Sequence, residues 1–300
     1  MKNFKEDQKE TIISSCELLG VNRQVYYRAI KSKKHKQSLA KQVIAMVRSV
    51  RNLMPRLGTR KLYYILKNEL SKVHVGRDKL FRILKANHMV IKPKKSYHIT
   101  TDSHHRFRKH KNKINEIEFN RPEQVWVSDI TYTGNRKNPS YLALVTDAYS
   151  KKIMGYDISN SLEVGGSLRA LEMALRKRSY KDQSLIHHSD RGLQYCSNDY
   201  QNLLKDKNII TSMTEKYDPY ENAIAERVNG ILKQEFAIAT YDTDIETKKL
   251  IIKDAVNIYN SLRPHFSNHM RTPDMMHKQQ KLKRKQYKSK KLNNLKIVQL

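Results

Sequence analysis

Three short segments in the second half of this chain each carry one acid in a setting suited to metal-dependent chemistry on phosphate. They read VWVSDITYT, IHHSDRGLQY and DPYENAIAERVNGILKQE. Their candidate acids are Asp129, Asp190 and Glu226, with 35 residues between the last two. A hard divalent cation takes oxygen ligands, and Mg²⁺ is typically held by one or two carboxylates plus substrate phosphates. Two such ions, roughly 3.5–4 Å apart, can activate a water or a 3′ hydroxyl and stabilise the leaving oxygen of a phosphodiester. The expected cofactor is Mg²⁺ or Mn²⁺, as two ions, held by Asp129, Asp190 and Glu226.

The elements around each acid must bring them together. QVWVSDITYT (124–133) alternates Val125, Val127, Asp129 and Thr131 against Trp126, Ser128, Ile130 and Tyr132, the period of a strand. A carboxylate in the middle of such a strand is costly unless it is paired or metal-bound. Asp190 falls where an apolar strand (184–190) gives way to polar residues and Gly192. That is the C-terminal end at which open α/β sheets place ligands. Glu226 lies on a helix with a strong start signal: Asp218 as N-cap, Pro219 at N1 and Glu221 at N3. Asn222 is one turn before Glu226 and Lys233 two turns after it. Lys233 is a candidate phosphate contact beside the site. Asp147 is a rival fourth carboxylate, Glu221 reads as a capping residue and Glu235 as a surface acid. His104–His105 and His187–His188 lack a nearby Cys-x-x-Cys and read as polar or DNA-facing rather than as zinc ligands. Trp126, the only tryptophan, is expected under the sheet.

The charge of +30 is unevenly spread. Residues 1–119 hold 29 Lys+Arg against 9 Asp+Glu, residues 120–240 hold 16 against 15, and residues 241–300 hold 14 against 5. A near-neutral middle between basic flanks fits a core delivered to a polyanion, with phosphate contacts giving salt-dependent affinity. The expected partner is double-stranded DNA. Two cysteines cannot make a disulfide framework and suggest a reducing compartment. No run of about 18 apolar residues occurs and the N-terminus lacks a secretory stretch, which predicts a cytoplasmic chain without a membrane partner. No G-x-x-x-x-G-K-[ST] loop is present, so no nucleotide cofactor is implied.

Further elements follow from periodicity. Residues 8–30 read as one or two short helices with a turn at Gly20 and Asn22 as a cap. KSKKHK (31–36) reads as a basic linker, and 38–53 as an amphipathic helix. GTRKLYYILKNEL (58–70) and GRDKLFRILKANHMV (76–90) read as a helix pair, with Arg60, Lys61, Arg77, Lys79 and Arg82 near the helix starts as DNA contacts. Residues 92–113 read as an extended basic linker lying on DNA. Strands are expected over 140–149, 151–160 and 208–213, and helices over 163–178, 198–207, 245–262 and, briefly, 270–277. The expected organisation is a helical segment and linker (1–35), a helix-turn-helix domain (36–91), a basic linker (92–119), a core (120–240), a helical extension (241–277) and a basic tail (278–300), disordered or ordered only on DNA, with nine Lys+Arg and no acids.

The words around the acids are more specific than the acids. W-x-x-D-I-T-Y occurs as Trp126, Asp129, Ile130, Thr131 and Tyr132. H-S-D-R-G-x-Q-Y occurs as His188 to Gly192, Gln194 and Tyr195. A late Y-N-x-x-R-x-H occurs as Tyr259, Asn260, Arg263 and His265. Over about residues 38–277 the chain resembles the second-reading-frame (OrfB) transposases of two-frame bacterial insertion sequences. These are DDE recombinases with a core like that of retroviral integrase. The chain departs from the family pattern with Tyr217 for a usual Gly and Glu221 for a usual Asp, both at the helix entry. The resemblance implies an α/β fold of ribonuclease-H-like, integrase type: a mixed five-stranded sheet with flanking helices, preceded by an all-α helix-turn-helix region. It implies a DNA transposase that cleaves and joins element ends, acting as a homo-oligomer on DNA, with the product of a preceding reading frame as a further partner. A structure-specific nuclease of the same fold and a catalytically dead DNA-binding regulator are the alternatives. Arg263, within the late motif, is a candidate DNA contact.

Overall fold

In the computed structural model, residues 12–92, 110–115, 117–134, 139–215 and 222–283 are described. They fall into two units, one of residues 12–52 with 58–91, the other of residues 53–57 with the described residues from 92 onward.

The first unit is helical. α1 (Ile12–Leu18) and α2 (Arg23–Leu53) are separated by Gly20 at φ 61°, a left-handed turn that favours glycine. The Asn22 side chain accepts from Gln24 N–H at 2.8 Å, as expected of a cap. α2 runs unbroken for 31 residues through KSKKHK, so the linker expected at 31–36 is a helix. Lysine is a good helix former and this stretch contains no glycine or proline, so charge alone was no reason for a break. The helix expected over 58–70 is two, α3 (Thr59–Ile65) and α4 (Lys67–Lys72), meeting at Leu66; α5 (Arg77–Ala86) follows. Val43, Val47, Leu62, Leu70, Leu80 and Leu84 are fully buried.

The second unit is built on a mixed sheet of order β3-β2-β1-β4-β5: β1 (Val125–Gly134), β2 (Pro139–Asp147), β3 (Ile153–Ser159), β4 (Ile186–Ser189) and β5 (Ile210–Met213). β1–β2 and β2–β3 are antiparallel; β1–β4 and β4–β5 are parallel. The helices are α6 (Val164–Arg176), the short α7 (Leu193–Cys196), α8 (Asn198–Asp206), α9 (Ala223–Glu235), α10 (Ile245–Ser261) and α11 (Pro273–His277). This is the expected ribonuclease-H-like arrangement.

The alternation of β1 sorts the two faces. Trp126 enters a core with Ala143, Val145, Met154, Leu171, Tyr200 and Leu204, under α6 and α8. Val125 and Val127 enter a second core with Ile114, Ala148 and Ala225 of α9. On the first face α6 lies so close that a Cβ on Gly155 would sit 1.9 Å from the Ala170 carbonyl oxygen, so only glycine fits there.

Two basic segments differ from expectation. Of the linker placed at 92–119, residues 93–109 and 116 lie outside the described residues. The described remainder from 110 packs on the core: Met213 N–H donates to Lys111 O at 3.3 Å, Lys113 N–H to Ser212 Oγ at 2.9 Å, and Ile114 is buried. The tail expected to be disordered from 278 is docked as far as 283. There the Tyr149 hydroxyl donates to Leu282 O at 2.5 Å and Gln279 Nε2 to Tyr149 Oη at 2.8 Å. Residues 284–300 lie outside the described residues.

Candidate active site

The register between β1 and β4 places the two aspartates. Val127 pairs with His188 and Ser128 with Ser189, the last pair of the parallel ladder. Asp129 and Asp190 are the next residues on each chain. Neighbouring strands stand about 5 Å apart, and residues two along share a face. Asp129 and Asp190 therefore continue on the Val127 face, toward α9. Asp129 is half-buried in the middle of β1, opposite Leu144 of β2. Burial pushes its carboxyl up to about 7. The neighbouring Asp190 carboxylate adds to this, a hydrogen bond from Asn229 opposes it, and Glu226 adds a little more.

α9 supplies the third acid. One stripe of it runs Asn222, Glu226, Asn229 and Lys233, spaced one turn apart. Asn222 Nδ2 donates to Ser128 O at 3.0 Å and Asn229 Nδ2 to Asp129 Oδ2 at 2.8 Å. Glu226 stands exposed between these two contacts. Its carboxyl is raised by desolvation and then by Asp190. The Lys233 ammonium is half-buried; desolvation lowers its pKa, and the attraction of Asp129 works against that. The start signal expected at Asp218, Pro219 and Glu221 lies outside the described residues; the described helix begins at Ala223, after Asn222. Asn229 was not singled out from the sequence, although its place three residues after Glu226 is a signal that could have found it.

The word around Asp190 now has a physical content. Gly192 N–H donates to Asp190 Oδ1 at 3.0 Å, and a Cβ on Gly192 would lie 3.1 Å from that oxygen. His187 and His188, expected as polar or DNA-facing, are both fully buried and point to opposite faces. His187 Nε2 lies 2.7 Å from Ser128 Oγ and 2.9 Å from Tyr200 Oη, and burial lowers its pKa to about 3, so the ring is neutral. His188 Nδ1 lies 2.9 Å from Ser212 Oγ. Tyr195 packs edge-on against Tyr200 beneath the acids. Burial and then Tyr200, Asp129 and Asp190 raise its phenol well above the usual range. Histidine alternating with serine on a short strand reads as polar until the second strand and helix that enclose it are known.

Other candidates fall elsewhere. Asp147 is not a fourth site carboxylate. It is fully buried at the end of β2, accepting from Glu123 N–H at 2.7 Å, Ser150 N–H at 2.7 Å and Ser150 Oγ–H at 2.5 Å. His277 stands 3.2 Å from Glu123 and 3.6 Å from Asp147. Although burial opposes its charge, these two carboxylates raise its pKa. Glu235, expected at the surface, is forked to Arg263 at 2.7 and 2.8 Å. Arg263, expected on DNA, is 1% exposed and cannot reach a phosphate there. Lys61 of α3 is likewise buried and is removed from the DNA contacts. Arg60, Arg77 and Arg82 are exposed and Lys79 half-exposed. Among the described residues no group of three or more His, Cys, Asp or Glu side chains stands ready to hold a metal ion. The donor set itself still fits a hard cation, being all oxygen, with two carboxylates in register and mutual repulsion that a cation would relieve.

Comparison with known proteins decides the family. Two family models, both described as integrase core domain, match residues 120–219 and 207–273. The insertion element IS600 uncharacterized 31 kDa protein of Shigella sonnei is 32% identical over 257 residues, covering 83% of this chain and 92% of that one. The chain belongs to the insertion-sequence transposases of the OrfB type. The transposase for insertion sequence element IS629 of Shigella sonnei is 39% identical over 113 residues, 38% of each chain. The transposase for IS904 of Lactococcus lactis is 32% identical over 164 residues, 54% of this transposase and 64% of that one. A structure of the HTLV-2 integrase catalytic core domain in complex with magnesium aligns with 52% of this chain and 97% of that chain, at 19% identity and a TM-score of 0.41, an overlap too low to carry an argument.

Proposed function

We propose that this transposase cleaves and joins the ends of its element by phosphoryl transfer at Asp129, Asp190 and Glu226. The observation that carries the reading is the adjacency of Asp129 and Asp190, the next residues beyond the β1–β4 parallel ladder, where Asp190 raises both the Asp129 carboxyl and, after desolvation, that of Glu226 on α9. Asp129 and Asp190 would hold divalent ions, Mg²⁺ or Mn²⁺, with Glu226 completing the set; two such ions supply Lewis acidity at the attacking and leaving oxygens of a phosphodiester. Asn229 orients the Asp129 carboxylate by donating to its Oδ2. The Gly192 amide orients the Asp190 carboxylate by donating to its Oδ1. Lys233, half-buried and near enough to feel the Asp129 charge, is proposed to meet a scissile phosphate and hold its charge. Arg60, Arg77, Lys79 and Arg82 of the helical unit are proposed to contact element-end DNA, and the active species on DNA is proposed to be a homo-oligomer.

The test is an end-cleavage and joining assay on double-stranded element ends with Mg²⁺. Wild type should release a 3′ hydroxyl and transfer it to a second duplex. Asp129→Asn, Asp190→Asn and Glu226→Gln should each abolish both steps and still bind DNA. Cleavage without joining would mark a nuclease, and binding without cleavage by wild type a regulator; either result overturns the reading.

A further inference from the structure

The motif Tyr259, Asn260, Arg263 and His265 lies outside the acidic site, yet every member is buried and bonded. Asn260 acts as an added rung on the edge strand: its Oδ1 accepts from Ile153 N–H and its Nδ2 donates to Ile153 O, both at 3.0 Å. The Tyr259 hydroxyl donates to Lys151 O at 2.9 Å. The end of α10 is thereby pinned to the start of β3. From that anchor Arg263 reaches α9. Its Nε and Nη2 donate to the two oxygens of Glu235 at 2.8 and 2.7 Å, a bidentate fork with both partners largely buried. Its Nη1 lies 2.7 Å from His265 Nε2. A guanidinium has no acceptor, so that nitrogen of His265 must accept, which fixes a neutral ring with its proton on Nδ1. The His265 ring packs edge-on against Tyr259 at 5.2 Å, and the guanidinium carbon lies 5.7 Å from the Tyr259 ring centroid.

Glu235 is the last residue of α9, nine residues beyond Glu226 or about 14 Å along the helix. The helix is thus held to one sheet at both ends. Asn222 and Asn229 tie its first half to β1, and the Glu235–Arg263 fork ties its last turn to β3 through α10. Glu226 sits between, exposed, with its position set by where α9 stands.

We propose that Arg263, with Glu235, Tyr259, Asn260 and His265, forms a positioning clamp that sets the axial place and roll of α9. The clamp thereby sets the reach of Glu226 toward the ions held by Asp129 and Asp190. The proposal rests on the three-carboxylate reading of the site. A loosened clamp lets α9 shift, which withdraws the third ligand and slackens the Asn229 hold on Asp129, so metal affinity suffers before anything else.

The test uses full-length protein with Glu235→Gln and Arg263→Lys, each of which keeps volume and loses the charged fork. Two quantities are read: the Mg²⁺ concentration for half-maximal end cleavage, and Mn²⁺ binding by calorimetry without DNA. Changing a residue bonded directly to a metal ligand typically costs 10–100-fold, and a clamp acting through the helix falls at the low end of that range. Each variant should raise the Mg²⁺ midpoint roughly tenfold, weaken Mn²⁺ binding in step and keep most of the maximal rate at saturating metal. An unchanged midpoint with a lowered maximal rate would mean that the clamp serves stability alone, and the proposal falls; unchanged values throughout also overturn it. If both variants melt below the assay temperature, Tyr259→Phe, which removes only the hydroxyl on Lys151 O, carries the same expectation. Glu226→Gln separates the two readings. If it cleaves normally, the site assignment fails; if it is inactive while the clamp variants match wild type, the clamp alone fails.

Discussion

At Asp129 the carboxyl titrates at about 7 in the folded chain, against about 4 in an unfolded one. Between those values the native state keeps a proton that the unfolded state has released, so metal-free stability falls as pH rises from about 4 to about 7. Asp129→Asn, neutral throughout, should flatten that part of a melting-temperature profile recorded in chelator. Parallel profiles for the two proteins would show that the shift is absent. Metal binding must expel the same proton, so Mn²⁺ affinity should climb with pH and level off above about 7. Single residues were unevenly legible in the sequence. The three acids stood out because their neighbours form recognisable words and because a carboxylate inside an apolar strand demands a reason. Asn229 did not stand out, since an amide on a helix face has no cost until its partner is known. Arg263 was misread because the sequence gives a cation and not the glutamate, 28 residues earlier, that neutralises it.

Elements were read better where a physical period forces them. The alternation in β1 fixed both its strand character and the face of Asp129, and the spacing of Asn222, Glu226 and Lys233 fixed the stripe of α9. Breaks are less legible, because a charged run such as KSKKHK has the composition of a linker and a leucine marks the α3–α4 junction with no glycine or proline. Two substitutions probe how the elements are held. Asn229→Ala removes the bond between α9 and Asp129. It should lower cleavage by one to two orders of magnitude, roughly 1.4–2.7 kcal/mol of barrier, with DNA affinity unchanged; full activity would show that Asp129 needs no such support. Gly155→Ala forces a methyl onto the Ala170 carbonyl. Overpacking of this kind costs about 1–3 kcal/mol or more, so the melting temperature should fall by several degrees; an unshifted transition would mean that α6 does not lie against β3 as described.

For the whole molecule the governing quantity is the distribution of charge. The helical unit, its connecting segment and the C-terminal tail hold nearly all of the excess of +30, whereas residues 120–240 are almost neutral. Residues 1–119 alone should bind DNA with an affinity that drops steeply with salt, and residues 120–240 alone should bind poorly; a flat salt dependence would remove the phosphate-contact argument. The tail divides at a place the sequence did not mark. Residues 278–283 look like the rest of the polycation, yet Gln279 and Leu282 bond to Tyr149 and His269 meets Lys283 O at 2.9 Å. Beyond them, residues 284–300 hold six Lys+Arg and no acids. A chain ending at 283 should keep its melting temperature and lose affinity for element ends and random duplex by the same factor, because a polycation contacts phosphates and reads no bases. A chain ending at 277 should melt lower as well, since it loses the partners of Tyr149. Equal melting temperatures for the two truncations would show that residues 278–283 carry no stability. A selective loss of binding to element ends in the longer one would show that the tail reads sequence, and the electrostatic account of it would fail.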